Sequence, residues 1–283
     1  MGSSAVARRR KLWTGLVRGA LIALALAWSG IPILLVVLSS FKEASEIFAV
    51  PPTLLFRPTL DNYAVLWRER PEFFRALSSS LIVTLGTTVL TLAAATLAGY
   101  VYARYRSRFL STSAFGLLAA RMLPPIIITV PLFPIVNAMR MNDTHTLLIL
   151  LYAAFYVSLG TWIMRAFIDK LPVELEDAAA VDGASLAAIL WRVVLPLVVP
   201  GLIAVAIFVV VFAWNEYVFA MIFTTRNAKT APVVIGEMLG TVEGVQWGVI
   251  FAAATVQLLP VLALVVALQR YLVAGLTAGA VKQ

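Results

Sequence analysis

The chain has 283 residues, of which 61% are hydrophobic and only 13% are charged, and its formal net charge is +8. A soluble domain has about a quarter of its residues charged, so this apolar surplus excludes a water-soluble fold. Long unbroken apolar runs also exclude a membrane barrel and predict an all-α integral membrane protein. We attribute the positive charge to the positive-inside bias of membrane proteins and expect no nucleic-acid partner.

Six segments are long and apolar enough to cross a bilayer, which takes about 20 residues of helix. They are 19–41, 80–103, 112–138, 144–164, 193–215 and 244–269. The first is too long for the apolar core of a signal peptide and lacks a small-x-small cleavage site, so we expect it to be retained. The third is interrupted by Arg121 and by Pro124-Pro125, which predicts a kinked or unwound span.

These spans define the expected organisation: an N-terminal arm of 1–18, a transmembrane domain of 19–270 and a C-terminal tail of 271–283. With both ends inside, thirteen Lys and Arg lie in inner segments and eight in outer loops, while Arg121 lies within a span. The positive-inside rule therefore predicts cytoplasmic termini and a multi-pass protein of the cytoplasmic (inner) membrane.

The outer loops then differ in character. The proline-rich loop 42–75 is expected to be irregular, and 139–143 to form a short turn. The loop 224–243 contains an apolar patch, "APVVIGEML", which predicts a short interfacial helix. The loop of about 172–196 falls on the cytoplasmic side.

This inner loop is acidic and alanine-rich within an otherwise apolar chain. Pro172 suits the first turn of a helix, where Glu174, Glu176 and Asp177 complement the positive end of the helix dipole. Asp182-Gly183 is a C-cap signal, after which a second short helix is expected over 186–194. The loop is thus predicted to be a helix, a glycine break and a second helix.

The spacing within this loop matches a known motif. Asp177-Ala178-Ala179 is followed after three residues by Gly183, and nine residues later by Val193-x-Leu195-Pro196. This pattern resembles the EAA loop of ATP-binding-cassette (ABC) importer permeases, E-A-A-x3-G-x9-I-x-L-P. Asp177 replaces the usual Glu, and Val193 replaces the usual Ile.

Other segments are similar to carbohydrate-importer permeases of this family. "WNEYVFAM" (214–221) resembles their fifth span, and "LAGYVYARYRSRF" (97–109) resembles the end of their second span, with Gly99 where Ala is usual. "QRYLVAGLTAGAVKQ" (269–283) resembles the tail of the second permease of maltose-type importers. The usual Asn-Ser opening of the second span is missing, since Ser78-Ser79-Ser80 stand there.

The resemblance implies a type I ABC importer permease fold that works by alternating access. It implies as partners a second permease subunit, two ATP-binding subunits, an extracytoplasmic solute-binding protein and membrane lipid. Its EAA loop would dock on one ATPase through Glu176, Asp177, Ala178, Ala179, Asp182, Gly183, Leu195 and Pro196. This chain has no Gly-Lys dipeptide and hence no P-loop, so ATP and Mg would be bound by partner subunits and the chain itself is not expected to be an enzyme or to hold a cofactor or metal.

Candidate substrate contacts come from polar and aromatic residues near the spans: Arg121, Tyr156, Trp214, Asn215, Glu216 and Tyr217. Ionisable residues within a membrane are costly and are candidates for function, while aromatic rings can stack on sugars. The structural alternatives are that Arg121 bonds carbonyls freed by Pro124-Pro125, that Glu216 lies among headgroups, and that the aromatic residues are packing or belt residues.

The expected substrate is a sugar, a polyol or a glycerol-type solute. Two other functions stay open at this point. One is an ABC importer permease for a non-carbohydrate solute. The other is an ion-coupled secondary carrier with Glu216 as its ion site, although such carriers usually have internal repeats and the acidic inner loop would then have no role.

Overall fold

The computed structural model describes residues 2–51, 53, 55–240 and 244–277, and these ranges are helical without a β-strand. The all-α prediction is therefore confirmed. The contacts divide the chain into two compact units, Met1–Arg70 with Met238–Val256 and Pro71–Glu237 with Gln257–Gln283. The last residues of the expected C-terminal tail, 278–283, lie outside the described residues.

The first unit holds three helices and the beginning of a fourth. These are α1 (Gly2–Ser39), α2 (Ala44–Ile47), α3 (Asp61–Glu69) and the start of the last helix at Trp247. Asn62 Nδ2 donates to the carbonyl oxygens of Ser40 at 2.9 Å and Lys42 at 2.8 Å, which ties α3 to the end of α1. The prediction that 42–75 is irregular is wrong in part, because it holds α2, α3 and the first turn of the next long helix.

The second unit carries the remaining elements. They are α4 (Pro71–Arg104), α5 (Arg108–Arg121), α6 (Pro125–Ala138), α7 (His145–Ile168), α8 (Glu174–Val181), α9 (Leu186–Ile189), a π turn (Leu190–Val194), α10 (Leu195–Leu197), α11 (Val199–Trp214), α12 (Val218–Phe223), α13 (Ala231–Met238) and α14 (Trp247–Thr277), which starts in the first unit. The predicted short helix in "APVVIGEML" is present as α13.

The pair α4 and α7 forms the centre of the second unit. Gly99 lies against α7 so closely that an added Cβ would stand 2.7 Å from the Met164 Cβ and 3.0 Å from the Arg165 nitrogen. Val83, Leu148 and other side chains between the helices are fully buried. Small residues at such contacts let helix backbones approach, which is how membrane helices gain packing energy.

Four helices are long and apolar enough to span a membrane by themselves, in α1, α4, α7 and α14. Two further spans result if each of two bent helix pairs crosses as one, so the total reaches the six predicted. The second span begins earlier than predicted, at Pro71. A proline is compatible with the first helical position because its missing N–H has no partner there.

Both bent pairs break beside proline. α5 and α6 meet at 96° across Met122–Pro124, as the Pro124-Pro125 pair predicted. The helix Leu186–Leu197 and α11 meet at 78° at Val198, just before Pro200. The predicted fifth span, 193–215, therefore splits: its first residues belong to the loop helix, and α11 forms its apolar body.

Candidate functional site

The acidic loop folds as a helix, a glycine break and a second helix, as predicted. α8 begins at Glu174, and Glu174, Glu176 and Asp177 occupy its first turn. Pro172 precedes the helix instead of lying in it, because Val173 is the N-cap. The acids therefore face the positive end of the α8 dipole, and this favours the helix at this position.

The glycine break is a Schellman motif. Asp182 is the C-cap of α8, and Gly183 follows with φ +84°. The Gly183 N–H donates to the Ala180 carbonyl at 3.0 Å, and the Ala184 N–H donates to the Ala179 carbonyl at 2.9 Å. These two bonds satisfy carbonyls at the end of α8, and the left-handed conformation explains why glycine stands there.

The position of Glu176 differs from the expectation that it contacts an ATPase. Its carboxylate is buried and accepts two hydrogen bonds from α4: Arg104 Nε donates to Oε1 at 2.7 Å, and the Tyr100 hydroxyl donates to Oε2 at 2.7 Å. Arg104 also donates to the Leu171 carbonyl at 3.2 Å. Because both oxygens accept hydrogen bonds from α4, Glu176 positions α8 against α4.

The remaining predicted coupling residues lie at the surface of this loop. Asp177, Ala178, Asp182, Gly183 and Pro196 are exposed, whereas Ala179 and Leu195 are half-buried. Sequence reasoning missed two apolar members of this surface, Val181 at 88% exposure and Leu186 at 57%. A signal was available, since both flank the Asp182-Gly183 break. We call Asp177, Val181, Asp182, Gly183 and Leu186 the α8–α9 surface.

The second half of the loop contains an irregular turn. Leu190–Val194 forms a π turn, and Leu190 and Val194 are buried. Pro196 follows it and cannot donate the N–H that an α-helix would send to the Arg192 carbonyl, so the regular ladder is interrupted here. Leu195-Pro196 thus marks the return towards α11, in the place that the sequence predicted.

A cleft of about 170 Å³ lies beside the break between α5 and α6. Its lining is mostly apolar, with the Arg121 guanidinium and the Ser158 hydroxyl as polar groups. The Arg121 guanidinium lies 5.7 Å from the centre of the Phe212 ring, a cation–π distance. The contact that the structure shows for the Arg121 side chain is therefore with this ring.

Tyr156 contacts the same phenyl group. Its ring stacks on Phe212 at 5.9 Å, and its hydroxyl donates to the Phe212 carbonyl at 3.3 Å. The structure thus brings Arg121 and Tyr156 together at the Phe212 ring. Tyr152 is fully buried against Tyr156, in line with a packing role.

Trp214 is not placed to stack on a solute. The residue is only 3% exposed, and its indole N–H donates to the Gln257 carbonyl at 3.0 Å. This hydrogen bond holds α11 to α14 within the second unit. The prediction of a substrate contact at Trp214 is therefore replaced by a packing role.

The three residues after Trp214 have separate environments. Glu216 is buried, and its carboxylate accepts from the backbone N–H groups of Phe219 at 2.9 Å and Ala220 at 3.2 Å, so it caps α12. The alternative that Glu216 lies among headgroups is therefore wrong. Asn215 is exposed with its amide donating to the Val211 carbonyl, and half-exposed Tyr217 packs against Gly236.

Asp143 is a structural residue that sequence reasoning did not find. Its carboxylate accepts from the backbone N–H groups of Thr225, Arg226, Asn227 and Ala228, at 2.9–3.2 Å. Burial opposes the charge on Asp143, but the four N–H groups outweigh it and lower the pKa of this carboxyl to about 2. The carboxylate thereby clamps the turn before α7 to the segment after α12.

These features define a class: a multi-pass helical membrane protein with an exposed acidic loop and a small cleft at a broken span. The sequence matches the family described as binding-protein-dependent transport system inner membrane component over residues 92–278. The chain belongs to this family, and it is therefore a permease of the inner membrane. Members of the family are transport proteins and not themselves catalysts.

Curated relatives cover most of the chain. The trehalose transport system permease protein SugB of Mycobacterium tuberculosis is 36% identical over 284 residues, which is 98% of this chain and 99% of that protein. The trehalose/maltose transport system permease protein MalG of Thermococcus litoralis is 32% identical and covers 89% of this chain and 91% of its own length. A probable ABC transporter permease protein, y4oR of Sinorhizobium fredii, is 36% identical over 87% of this chain and 88% of its own.

Solved structures share the fold. A chain of a bacterial ABC transporter involved in the import of the acidic polysaccharide alginate superposes with a TM-score of 0.77 at 18% identity, and the match covers 93% of this chain and 98% of that chain. This likeness confirms the type I ABC importer permease fold. A second alginate transporter structure, in complex with an alginate pentasaccharide-bound periplasmic protein, has a TM-score of 0.63 at 14% identity, over 93% of this chain and 94% of its own.

Proposed function

We propose that this permease passes a sugar, a polyol or a glycerol-type solute into the cytoplasm by alternating access, driven by ATP hydrolysis on partner subunits. The observation that carries the carbohydrate class is the sequence similarity, at 32% and 36% identity over most of the chain, to permeases named for trehalose and maltose transport. The polysaccharide importer with the same fold adds support.

The assembly that we propose contains a second permease, two ATP-binding subunits and an extracytoplasmic solute-binding protein, all within membrane lipid. ATP and Mg belong to the ATP-binding subunits, because this chain has no Gly-Lys dipeptide and so no P-loop. The similar alginate transporter, which is described in complex with a periplasmic protein, supports the binding-protein partner.

Coupling would run through the α8–α9 surface on the cytoplasmic side. This surface exposes the carboxylates of Asp177 and Asp182 together with the apolar side chains of Val181 and Leu186, and a mixture of apolar and charged groups suits a protein partner. α8 is held from within by Glu176, so a movement of the docked ATPase would be carried to α4 through the Arg104 contact. The Schellman motif keeps α8 and α9 at a fixed angle during that movement.

The solute would pass near the cleft at the broken third span. Arg121 supplies hydrogen-bond donors there, and the lining residues Phe155 and Phe219 supply aromatic surface. Tyr156 packs on the Phe212 ring that Arg121 also contacts. An irregular backbone at membrane depth is tolerated where it lines a cavity, which fits the α5–α6 break. Asn215 and Tyr217 are the remaining accessible candidates from the sequence, while Trp214 and Glu216 serve the framework.

Uptake measurements test this function. The full complex is reconstituted in proteoliposomes with its binding protein and loaded with ATP inside, and entry of labelled trehalose, maltose and glycerol is measured. We expect uptake of a carbohydrate that requires internal ATP and persists with a protonophore. Uptake that a protonophore abolishes and ATP depletion spares would contradict the proposal and favour an ion-coupled carrier.

A further inference from the structure

A basic cleft of about 860 Å³ lies where three helices of the second unit end or begin. α4 ends at Arg104, α5 begins at Arg108, and α7 ends at Ile168. The charged side chains that line the cleft are Arg106, Arg108, Arg165 and Asp169, and Tyr102 and Tyr105 lie beside them. Neither the α8–α9 surface nor the cleft at Arg121 includes these residues.

The charge of this cleft is only partly compensated within the chain. Arg165 Nε lies 3.5 Å from Asp169 Oδ2, and the Arg165 guanidinium lies 5.2 Å from the centre of the Trp162 ring. Within the described part of the chain, the exposed Arg106 and Arg108 make no ion pair. Three arginines and one aspartate leave a net charge of +2 on the lining, which attracts an anion.

The cleft lies at the ends of α4 and α7, two helices long and apolar enough to span a membrane, and at the start of α5. The Tyr102 hydroxyl and the Ser113 Oγ are 3.0 Å apart, which joins α4 to α5 at the rim. Tyr105 is 51% exposed, as expected of a tyrosine at a membrane–water interface. Phe109 is 79% exposed and lies in sequence between the lining residues Arg108 and Leu110, so an apolar surface adjoins the charged one.

We propose that this cleft binds the phosphate headgroup of an anionic phospholipid, with Arg106 and Arg108 as the principal donors. Planar guanidinium groups bind phosphate oxygens in pairs, and basic pockets between spans on the cytoplasmic side suit such headgroups. α5, a 14-residue helix, begins at Arg108 in the cleft lining, and the positive end of its dipole also favours an anion there. Free phosphate shares this chemistry, but only a lipid would use the adjoining apolar surface at Phe109.

Native mass spectrometry of the delipidated full complex tests the proposal with short-chain phosphatidylglycerol and phosphatidylcholine as probes. The wild type should prefer phosphatidylglycerol, and the double variant Arg106→Gln/Arg108→Gln should lose about tenfold of that affinity, roughly the effect of one strong phosphate contact. Lys170→Gln is the matched control, since Lys170 is exposed on the neighbouring turn but does not line the cleft. Its affinity should stay at the wild-type level.

Three outcomes would overturn the proposal. The first is equal binding of the two lipids by the wild type, and the second is unchanged phosphatidylglycerol binding by the double variant. The third is displacement of phosphatidylglycerol by millimolar inorganic phosphate, which would make the cleft a free-anion site. If the double variant does not assemble, Arg165→Gln replaces it and should also bind phosphatidylglycerol more weakly than the wild type.

Discussion

Arg104 and Glu176 are 72 positions apart in the sequence, yet the Arg104 Nε donates to the Glu176 Oε1 at 2.7 Å, with both side chains about nine-tenths buried. This pair joins the end of α4 to the first turn of α8. Any force on the α8–α9 surface therefore reaches α4 directly through one charged contact and the Tyr100 hydroxyl beside it.

Glu176→Gln should destabilise the protein strongly. It leaves the Arg104 charge buried without a counter-charge, and breaking a buried pair on one side costs about 3–5 kcal/mol. Thermal unfolding of the purified complex measures the loss. Asp169→Asn is the control, because the Arg165–Asp169 pair is longer and is 35% and 45% exposed, and surface pairs contribute about 0–1 kcal/mol. Equal losses in the two variants would contradict the buried-pair interpretation.

The stability losses from mutating Arg104 and Glu176 should not be additive. The double variant Arg104→Gln/Glu176→Gln should be more stable than the sum of the two single losses implies, by about 1–3 kcal/mol, because residues in one ion pair couple. A double-mutant cycle on the unfolding free energies provides the number. Strict additivity would show that the two side chains act separately.

Replacing Gly183 by a residue with a side chain should be unfavourable only because of the backbone conformation, and not because of a steric clash. An added Cβ would meet nothing within 4 Å, but φ is +84°. A left-handed residue costs about 1–2 kcal/mol for most side chains and less for Asn, which enters this region more readily. We expect ATP-driven uptake and co-purification of the ATPase to fall least in Gly183→Asn, further in Gly183→Ala and most in Gly183→Val. Gly183→Asp should likewise impair both, and full retention by the Val variant would argue against a required turn.

Gly99 tests the packing of α4 on α7. Gly99→Ala places a methyl group against the backbone of Arg165 and should cost about 1–3 kcal/mol, because two helices must separate. Gly86→Ala is the control, since there the added Cβ meets only the Ile149 side chain, which can change rotamer. Expression level and thermal midpoint of the two variants in detergent give the comparison. A larger effect at Gly86 would contradict this assignment of the contact.

The stability that Asp143 supplies should depend on pH. Its pKa is lowered in the folded state to about 2 from an ordinary value near 4. The contribution is therefore full above pH 4 and is lost as the pH falls towards 2. At neutral pH, Asp143→Asn should cost roughly 1–2 kcal/mol after allowance for solvent screening.

The melting temperatures of wild type and Asp143→Asn, measured in detergent between neutral pH and pH 2, should converge as acid is added. Asp182→Asn serves as the control, because the exposed Asp182 carboxylate lies at the end of α8 and not in a backbone clamp. A gap between wild type and Asp143→Asn that stays constant down to pH 2 would exclude the charged clamp.

Two variants of Glu216 distinguish a role in capping α12 from a role in carrying an ion. Gln keeps an oxygen that can accept from the Phe219 and Ala220 N–H groups, whereas Ala removes the cap at a cost of about 1 kcal/mol or more. We expect ATP-driven uptake to survive in Glu216→Gln and to fall in Glu216→Ala. Loss of uptake in a stable Glu216→Gln protein would instead require the ionisable carboxyl, as a secondary carrier would.

Local features of this molecule could be predicted from the sequence. The apolar runs, the break at Pro124-Pro125 and the helix stop at Asp182-Gly183 all depend on residues within a few positions of each other. The positions of Pro71 and of α2 and α3 could not be predicted, since a proline-rich stretch is compatible both with a loop and with helix starts.

The roles of neighbouring polar residues depended on partners far away in the sequence. Glu176 and Asp177 have almost the same chemistry, but about 100° of helix rotation separates them, and only the position of Arg104 decides which is buried. Trp214 and Tyr217 likewise differ because one faces α14 and the other α13. Asp143 found its partners 82 to 85 positions later, all of them backbone N–H groups that carry no sequence signal.

The π turn at Leu190–Val194 sets an angle as well as a connection. A π turn holds one residue more than an α turn, and one residue corresponds to about 100° around a helix axis. The direction in which α8 presents Asp177 and Val181 is therefore fixed by the number of residues between Gly183 and Pro196. The number of residues in this loop therefore sets the direction of the α8–α9 surface, so the spacing of the motif matters even at positions such as Asp177 and Val193, where the usual residue is replaced.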